Sequence, residues 1–165
     1  MKTPRSLLVR LACAAAALAA VAQGFPALAS DGPGRLPATG IGLEEARAYC
    51  AFAGARLPTE AEWRLAAGGS TWPWGDAEPT CDHAWALGCG AGPAQVGRRV
   101  DGLSAEGVHD LAGNAWEWVV TADGQGALLG GGATSPASQL GTSGRLVPEP
   151  GERPALAGVR CVVGS

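Results

Sequence analysis

Beyond Gly69 this chain carries almost no regular hydrophobic periodicity, so its fold cannot rest on long helices or strands. Helical spacing is confined to two short stretches. Leu43, Ala46, Cys50 and Ala53 recur at intervals of three and four, Glu44, Glu45 and Arg47 mark a wet face, and Gly54 ends the run. Pro58 bars a helix from passing through, and Thr59-x-x-Glu62 is a capping box that opens a second helix to about Ala67, closed by Gly68-Gly69. Trp72-Pro73-Trp74-Gly75-Asp76 reads as an aromatic turn, and residues 90–109 show little apolar pattern. The Trp and Val content of Ala115–Thr121 predicts a strand. Leu128-Leu129 predicts a short one running into Gly130-Gly131-Gly132, residues 133–157 a long loop, and Gly158–Val163 a last short strand.

The first thirty residues differ from the rest. Lys2, Arg5 and Arg10 precede an apolar run, Leu11–Ala22, and Ala27-Leu28-Ala29 gives a small-x-small site, the pattern of a secretory signal peptide cleaved before Ser30. The expected organisation is a signal peptide at 1–29, a flexible Gly/Pro-rich arm at 30–42 and one domain at 43–165. The expected location is secreted or periplasmic, by the general secretory route because no twin-Arg pair is present. No stretch approaches the length of a membrane span, so none is expected after cleavage. The whole chain has a net charge of −3; removing the leader's basic residues leaves only arginines against 15 acids, and the charge falls to about −6. Such a surface repels phosphate backbones and argues against nucleic-acid binding. Six tryptophans, with Tyr49 and Phe52 as the other aromatics outside the leader, must supply much of the core.

Cys13 would leave with the leader. Cys50, Cys81, Cys89 and Cys161 remain, and an even count in an exported chain reads as two disulfides with three possible connectivities. Cys81 and Cys89 enclose the short stretch CDHAWALGC and are the natural local pair, which leaves Cys50 with Cys161. Zinc on Cys81, His83 and Cys89 is the rival reading, but the spacing fits no standard pattern and export favours oxidation.

Three segments in order, ARAYCAFAGARLPTEAEWRLAAGG (46–69), WPWGD (72–76) and HDLAGNAWEWVV (109–120), together with a closing GVRCV (158–162), resemble the sulfatase-modifying-factor family, the formylglycine-generating enzymes and their relatives. The resemblance implies an α+β, loop-rich variant of the C-type-lectin-like fold, stapled here by two disulfides. It also implies a helix-to-C-terminus disulfide at Cys50–Cys161. Family members carry further strands and a helix ahead of the ARAYC helix, so the expectation is a member truncated on its N-terminal side, with a degenerate Leu129–Ala133 where the family has RGGSW.

The implied chemistry is oxidation of a substrate cysteine to formylglycine with oxygen and a copper ion held by two thiols. Those thiols belong between the glycine-rich segment and the C-terminal strand, and this chain has no cysteine between Gly130 and Cys161. A soft cuprous ion needs sulfur ligands, and the chain's only Met is the initiator, so copper is not expected. Relatives that use non-haem iron need histidines; His83 and His109 cannot make a three-His centre, a two-His-one-carboxylate triad is arithmetically possible, and exposed loop histidines are the favoured reading. The family's calcium-binding segment carries over position by position to Asp110, the Gly113 and Ala115 carbonyls, and Glu117, a donor set suited to a hard structural cation. The alternative is that Asp110 and Glu117 cap turns or pair with Arg. A second family calcium site is not expected, because Ala84-Trp85 offers no Asn.

Arg56, Glu60 and Glu62 could form an acid/base cluster, but ion pairing at the helix junction is the favoured reading. Trp63, Trp116 and Trp118 are expected in the core, whereas Trp72, Trp74 and Trp85 lie on loops and could line a ligand groove. Gly130–Gly132 lacks the Lys-Ser/Thr and helix of a phosphate cradle. The reading is an exported, non-catalytic binding or accessory module with a protein or small-ligand partner. The alternatives are a formylglycine-generating oxidoreductase acting on sulfatase-like substrates, and a remnant fragment needing a partner to fold.

Overall fold

The computed structural model describes residues 36–142 and 144–164; the signal-peptide reading, and with it Cys13, lies outside them. Two helices, α1 (Leu43–Phe52) and α2 (Glu60–Ala67), precede a four-stranded sheet made of β1 (Trp116–Val120), β2 (Gly126–Leu129), β3 (Arg145–Leu146) and β4 (Ala157–Gly158). The strand order is β3-β2-β1-β4. β1 and β2 form an antiparallel hairpin in which Trp118 faces Leu128 and Glu117 faces Leu129. β4 joins β1 in parallel and β3 joins β2 antiparallel.

The period of two along β1 and β2 sorts their side chains between two apolar layers. Val119, Ala127 and Leu129 pack with Trp63, Ala66 and Ala67 of α2, together with Val108, Leu111 and Val162. Trp118 and Leu128 pack on the opposite side with Ala46 and Cys50 of α1, Leu57, Ala157 and Cys161. Both sheet faces are therefore covered, each by one short helix. Trp63 and Trp118 are buried as expected, and Trp116 is partly buried against the α1 layer.

Local chemistry starts and stops the helices. The Thr59 hydroxyl accepts from Glu62 N–H and the Glu62 carboxylate accepts from Thr59 N–H at 2.8 Å, closing the capping box read from the sequence. At α1, Glu45 reaches back to Gly42 N–H at 2.9 Å. The pairings Cys50–Cys161 and Cys81–Cys89 are both formed, spanning 111 and 8 positions. In the chain-entropy picture the long loop restrains the unfolded chain by about 5 kcal/mol and the short one by about 2.5 kcal/mol.

Three expectations change. The last strand is paired only at Ala157–Gly158, not through Val163. Arg160 and Cys161 are instead committed to an ion pair and a disulfide, and Val162 then exchanges backbone hydrogen bonds with Arg56. The 133–157 stretch does contain a strand, β3, whose two exposed residues carry no apolar alternation to announce it. Residues 41 and 42 are not a flexible arm: Ile41 N–H donates to Ala157 O at 3.1 Å, and Ile41 O accepts from the Trp118 indole at 2.7 Å.

The glycine run after β2 is a packing device. Gly130 has φ +90°, and a Cβ there would sit 2.6 Å from Leu111 O and 3.1 Å from the Trp63 ring. Gly54 also has a positive φ, +70°, but open space around it. Gly130→Ala should therefore lower stability by about 3 kcal/mol, from strain plus crowding. Gly54→Ala should lower it by about 1 kcal/mol, from backbone conformation alone. Urea unfolding of the two variants measures the difference, and equal losses would show that the Gly130 cleft relaxes.

Candidate functional site

The polar centre of the molecule is Glu117. β1 carries it toward the α2 side, where its side chain is 10% exposed. The Trp63 indole donates to Oε2 at 2.7 Å. Arg160 closes a two-pronged pair, with Nη2 on Oε1 at 2.7 Å and Nε on Oε2 at 2.9 Å. Arg160 Nη2 also donates to the carbonyl of His109 at 2.8 Å. Burial works to lower the Arg160 pKa, but the charge of Glu117, its hydrogen bonds and the charge of Asp110 outweigh this and hold it above the usual value. Helix α2, strand β1, the 109–110 turn and the C-terminal segment thus meet at one carboxylate.

The resemblance places a calcium ion beside this point. Asp110, Gly113 and Asn114 all have positive φ (58°, 76° and 64°), so the backbone between Asp110 and Ala115 is tightly wound. As the side chains stand, the set does not fit a calcium ion. Glu117 directs its oxygens onto the donors of Trp63 and Arg160, and Asp110 Oδ2 accepts from Gly97 N–H at 2.5 Å. The Arg160 guanidinium pairs directly with Glu117, and the charge of Asp110 favours it from further away. Among the described residues no three His, Cys, Asp or Glu side chains converge on one point.

Asn114 is the residue that sequence reasoning passed over. It is 2% exposed, and its amide behaves like a strand backbone: Oδ1 accepts from Ala94 N–H at 2.8 Å and Nδ2 donates to Ala94 O at 3.1 Å. Its own N–H donates to Trp85 O at 2.7 Å, and its carbonyl accepts from Ala133 N–H at 2.9 Å. One residue pins three loops. The available signal was its place after Gly113, since Asn is enriched where a non-glycine residue takes positive φ.

The loop aromatics are divided between two places. Trp72 and Trp74 stack with centroids 6.1 Å apart, and His83 stacks on Trp74 at 4.9 Å. Trp72 and Trp74 also pack against Ala84, Ala86, Ala112 and Leu140. Trp85 is engaged separately: its indole donates to Gly92 O at 2.7 Å, and the Arg99 guanidinium lies 4.5 Å from its ring centre. Among Arg56, Glu60 and Glu62, ion pairing is what the geometry displays. Arg56 holds Glu62 through contacts of 2.7 and 2.8 Å, and Glu60 bridges Arg64 and Arg145. The Arg56 hydrogen bond, opposed by burial and helped by Thr59, pulls the Glu62 pKa from 4.5 to about 2.

Against known proteins, the family described as Sulfatase-modifying factor enzyme 1-like domain matches residues 21–164. Hercynine oxygenase from Mycobacterium tuberculosis (strain H37Rv) is 43% identical over 98 residues, which cover 55% of this chain and 23% of that protein. Inactive C-alpha-formylglycine-generating enzyme 2 from Bos taurus is 34% identical over 103 residues, 52% of this chain and 33% of that one. The chain therefore matches a third or less of the length of these relatives. The solved structure of PvdO from Pseudomonas aeruginosa superimposes with a TM-score of 0.65 at 22% identity, covering 78% of this chain and 62% of that one, and the likeness is one of fold.

Two outcomes are expected of the ion pairs. Glu117→Gln leaves Arg160 buried beside a neutral group and should cost about 3 kcal/mol. Glu44→Ala, which removes an exposed pair with Arg47, should cost about 0.5 kcal/mol or less. Thermal melts compare the two, and calcium added after chelation should leave the wild-type midpoint unmoved. For Glu62 the folded pKa lies below the unfolded one, so its stabilisation is complete above about pH 4.5 and is lost as pH falls toward about 2. Half-exposure weakens the effect but not its sign. Glu62→Gln should flatten that acid limb in a pH series of melts.

Proposed function

We propose that this chain, which belongs to the family of the Sulfatase-modifying factor enzyme 1-like domain, is an exported, non-catalytic member acting as a binding or accessory module. The observation that carries the reading is the state of the cysteines. Cys50, Cys81, Cys89 and Cys161 are all joined in disulfides, so residues 36–164 hold no thiol to bind a cuprous ion. Export is supported by the leader pattern and by two disulfides, which persist in oxidising compartments. An inactive relative among those that match, the Bos taurus protein, is in keeping with a scaffold kept without the chemistry.

The second reading is an oxidoreductase, favoured by the 43% identity with hercynine oxygenase. The two histidines do not support it. His83 stacks on Trp74 and accepts from Thr80 N–H through Nδ1 at 3.2 Å. The His109 imidazole keeps a buried Nδ1 without a hydrogen-bond partner, and among the described residues no three His, Cys, Asp or Glu side chains converge around it. Thiol titration of the native, unreduced protein separates the readings: no thiol within residues 36–164 should react, and two or more reactive thiols there would revive the enzyme.

A further inference from the structure

The two disulfides differ in where they sit. Cys50 and Cys161 are 0% and 1% exposed and belong to the α1 layer of the core. Cys81 is exposed and Cys89 half-buried, at the mouth of a surface loop. A thiol reductant must reach a sulfur along the S–S axis, so the first bond is shielded and the second is open to attack.

The loop is also held by bonds independent of its disulfide. His83 and Ala84 N–H both donate to Thr80 O, at 3.1 and 3.0 Å, and Cys89 N–H donates to Ala86 O at 3.0 Å. From outside, Leu87 N–H donates to Ser135 O at 3.0 Å, and Asn114 N–H reaches Trp85 O at 2.7 Å. Ala84 and Ala86 are buried beneath Trp72 and Trp74. The Cα atoms of Cys81 and Cys89 lie 5.5 Å apart, and these contacts would hold them close if the sulfurs parted. Arg99 Nε donates to the carbonyl of Cys81 at 3.2 Å, so a permanent positive charge borders the loop. The neighbouring Asp82 is exposed, where water and salt screen its charge.

We propose that Cys81–Cys89 is a reversible dithiol/disulfide couple, exchanged with a dithiol reductant without unfolding the domain, while Cys50–Cys161 is a fixed staple. One thiolate of the reductant attacks a sulfur of the pair; the S–S bond breaks, and the displaced sulfur takes up the proton that the reductant lost. The reductant's second thiol then resolves the mixed disulfide. The products are two cysteine thiols and the cyclic disulfide of the reductant. These thiols lie on the 80–89 loop, apart from the 130–161 segment where the resemblance places copper ligands.

The test is a dithiothreitol series on the folded, oxidised chain, followed by alkylation and peptide mapping. Cys81 and Cys89 should be labelled at a reductant concentration at least about tenfold below that which opens Cys50–Cys161. A cooperative melt should persist at that point, and glutathione disulfide, once the dithiothreitol is removed, should restore the bond. Opening of both bonds together, or a Cys81–Cys89 bond that resists until the chain unfolds, would overturn the proposal. The Cys81→Ser/Cys89→Ser double variant provides a second reading. It should still melt cooperatively, and loss of that transition would make the bond structural and end the idea of a reversible couple.

Discussion

The Glu117–Arg160 pair, with Trp63 as third partner, is the contact on which the rest of the arrangement depends. Neither helix is long enough to organise a domain by its own propensity, and the outer strands contribute two residues each. What sets their mutual position is a buried charge that must be satisfied. Satisfying Glu117 brings α2 onto one face of β1, draws the segment after β4 away from the sheet, and anchors the carbonyl that begins the 109–115 turn. The Cys50–Cys161 bond, one residue beyond Arg160, secures the same segment to α1 on the other face. Two adjacent residues, one ionic and one covalent, thereby close both layers of the core.

Much of this was legible because the informative residues act locally. Thr59 and Glu62 are three positions apart, and their capping geometry is implicit in that spacing. Cys81 and Cys89 are close enough in sequence to name their own partnership, after which the other pair follows. Less legible were contacts between distant positions. Nothing in the sequence around Ala94 shows that its N–H and carbonyl are taken by an amide twenty positions away. β3 was hidden because both its residues are exposed, so burial left no alternation in them.

The metal reading shows how the same residues admit two electrostatic solutions. Two carboxylates around a wound turn call for a cation, and sequence alone cannot say whether it is an ion or a side chain. Arg160 lies about fifty positions from Asp110, so its arrival there is a matter of tertiary structure. Once a guanidinium lies across Glu117, a calcium ion would have to displace a bidentate hydrogen-bonded pair from a buried position, against like-charge repulsion. In this arrangement the Glu117 oxygens are already taken by the donors of Trp63 and Arg160.

The motifs that identify the family are, in this chain, stability motifs. In RLPTEAEW, Arg56 holds Glu62, Leu57 and Pro58 are buried, Thr59 caps the helix and Trp63 donates to Glu117. In GNAWEW, Gly113 passes close under Trp85, Asn114 fastens Ala94, Glu117 binds Arg160 and Trp118 donates to Ile41. None of these partners is a reactive group. The stretch in which the family keeps its thiols, between Gly130 and Cys161, is joined to this scaffold through glycines, the short β3 and β4, and the last disulfide. In such a scaffold the contacts that specify the fold are separable from the segment that would carry chemistry. Identity to a relative therefore does not by itself decide whether the chemistry is shared.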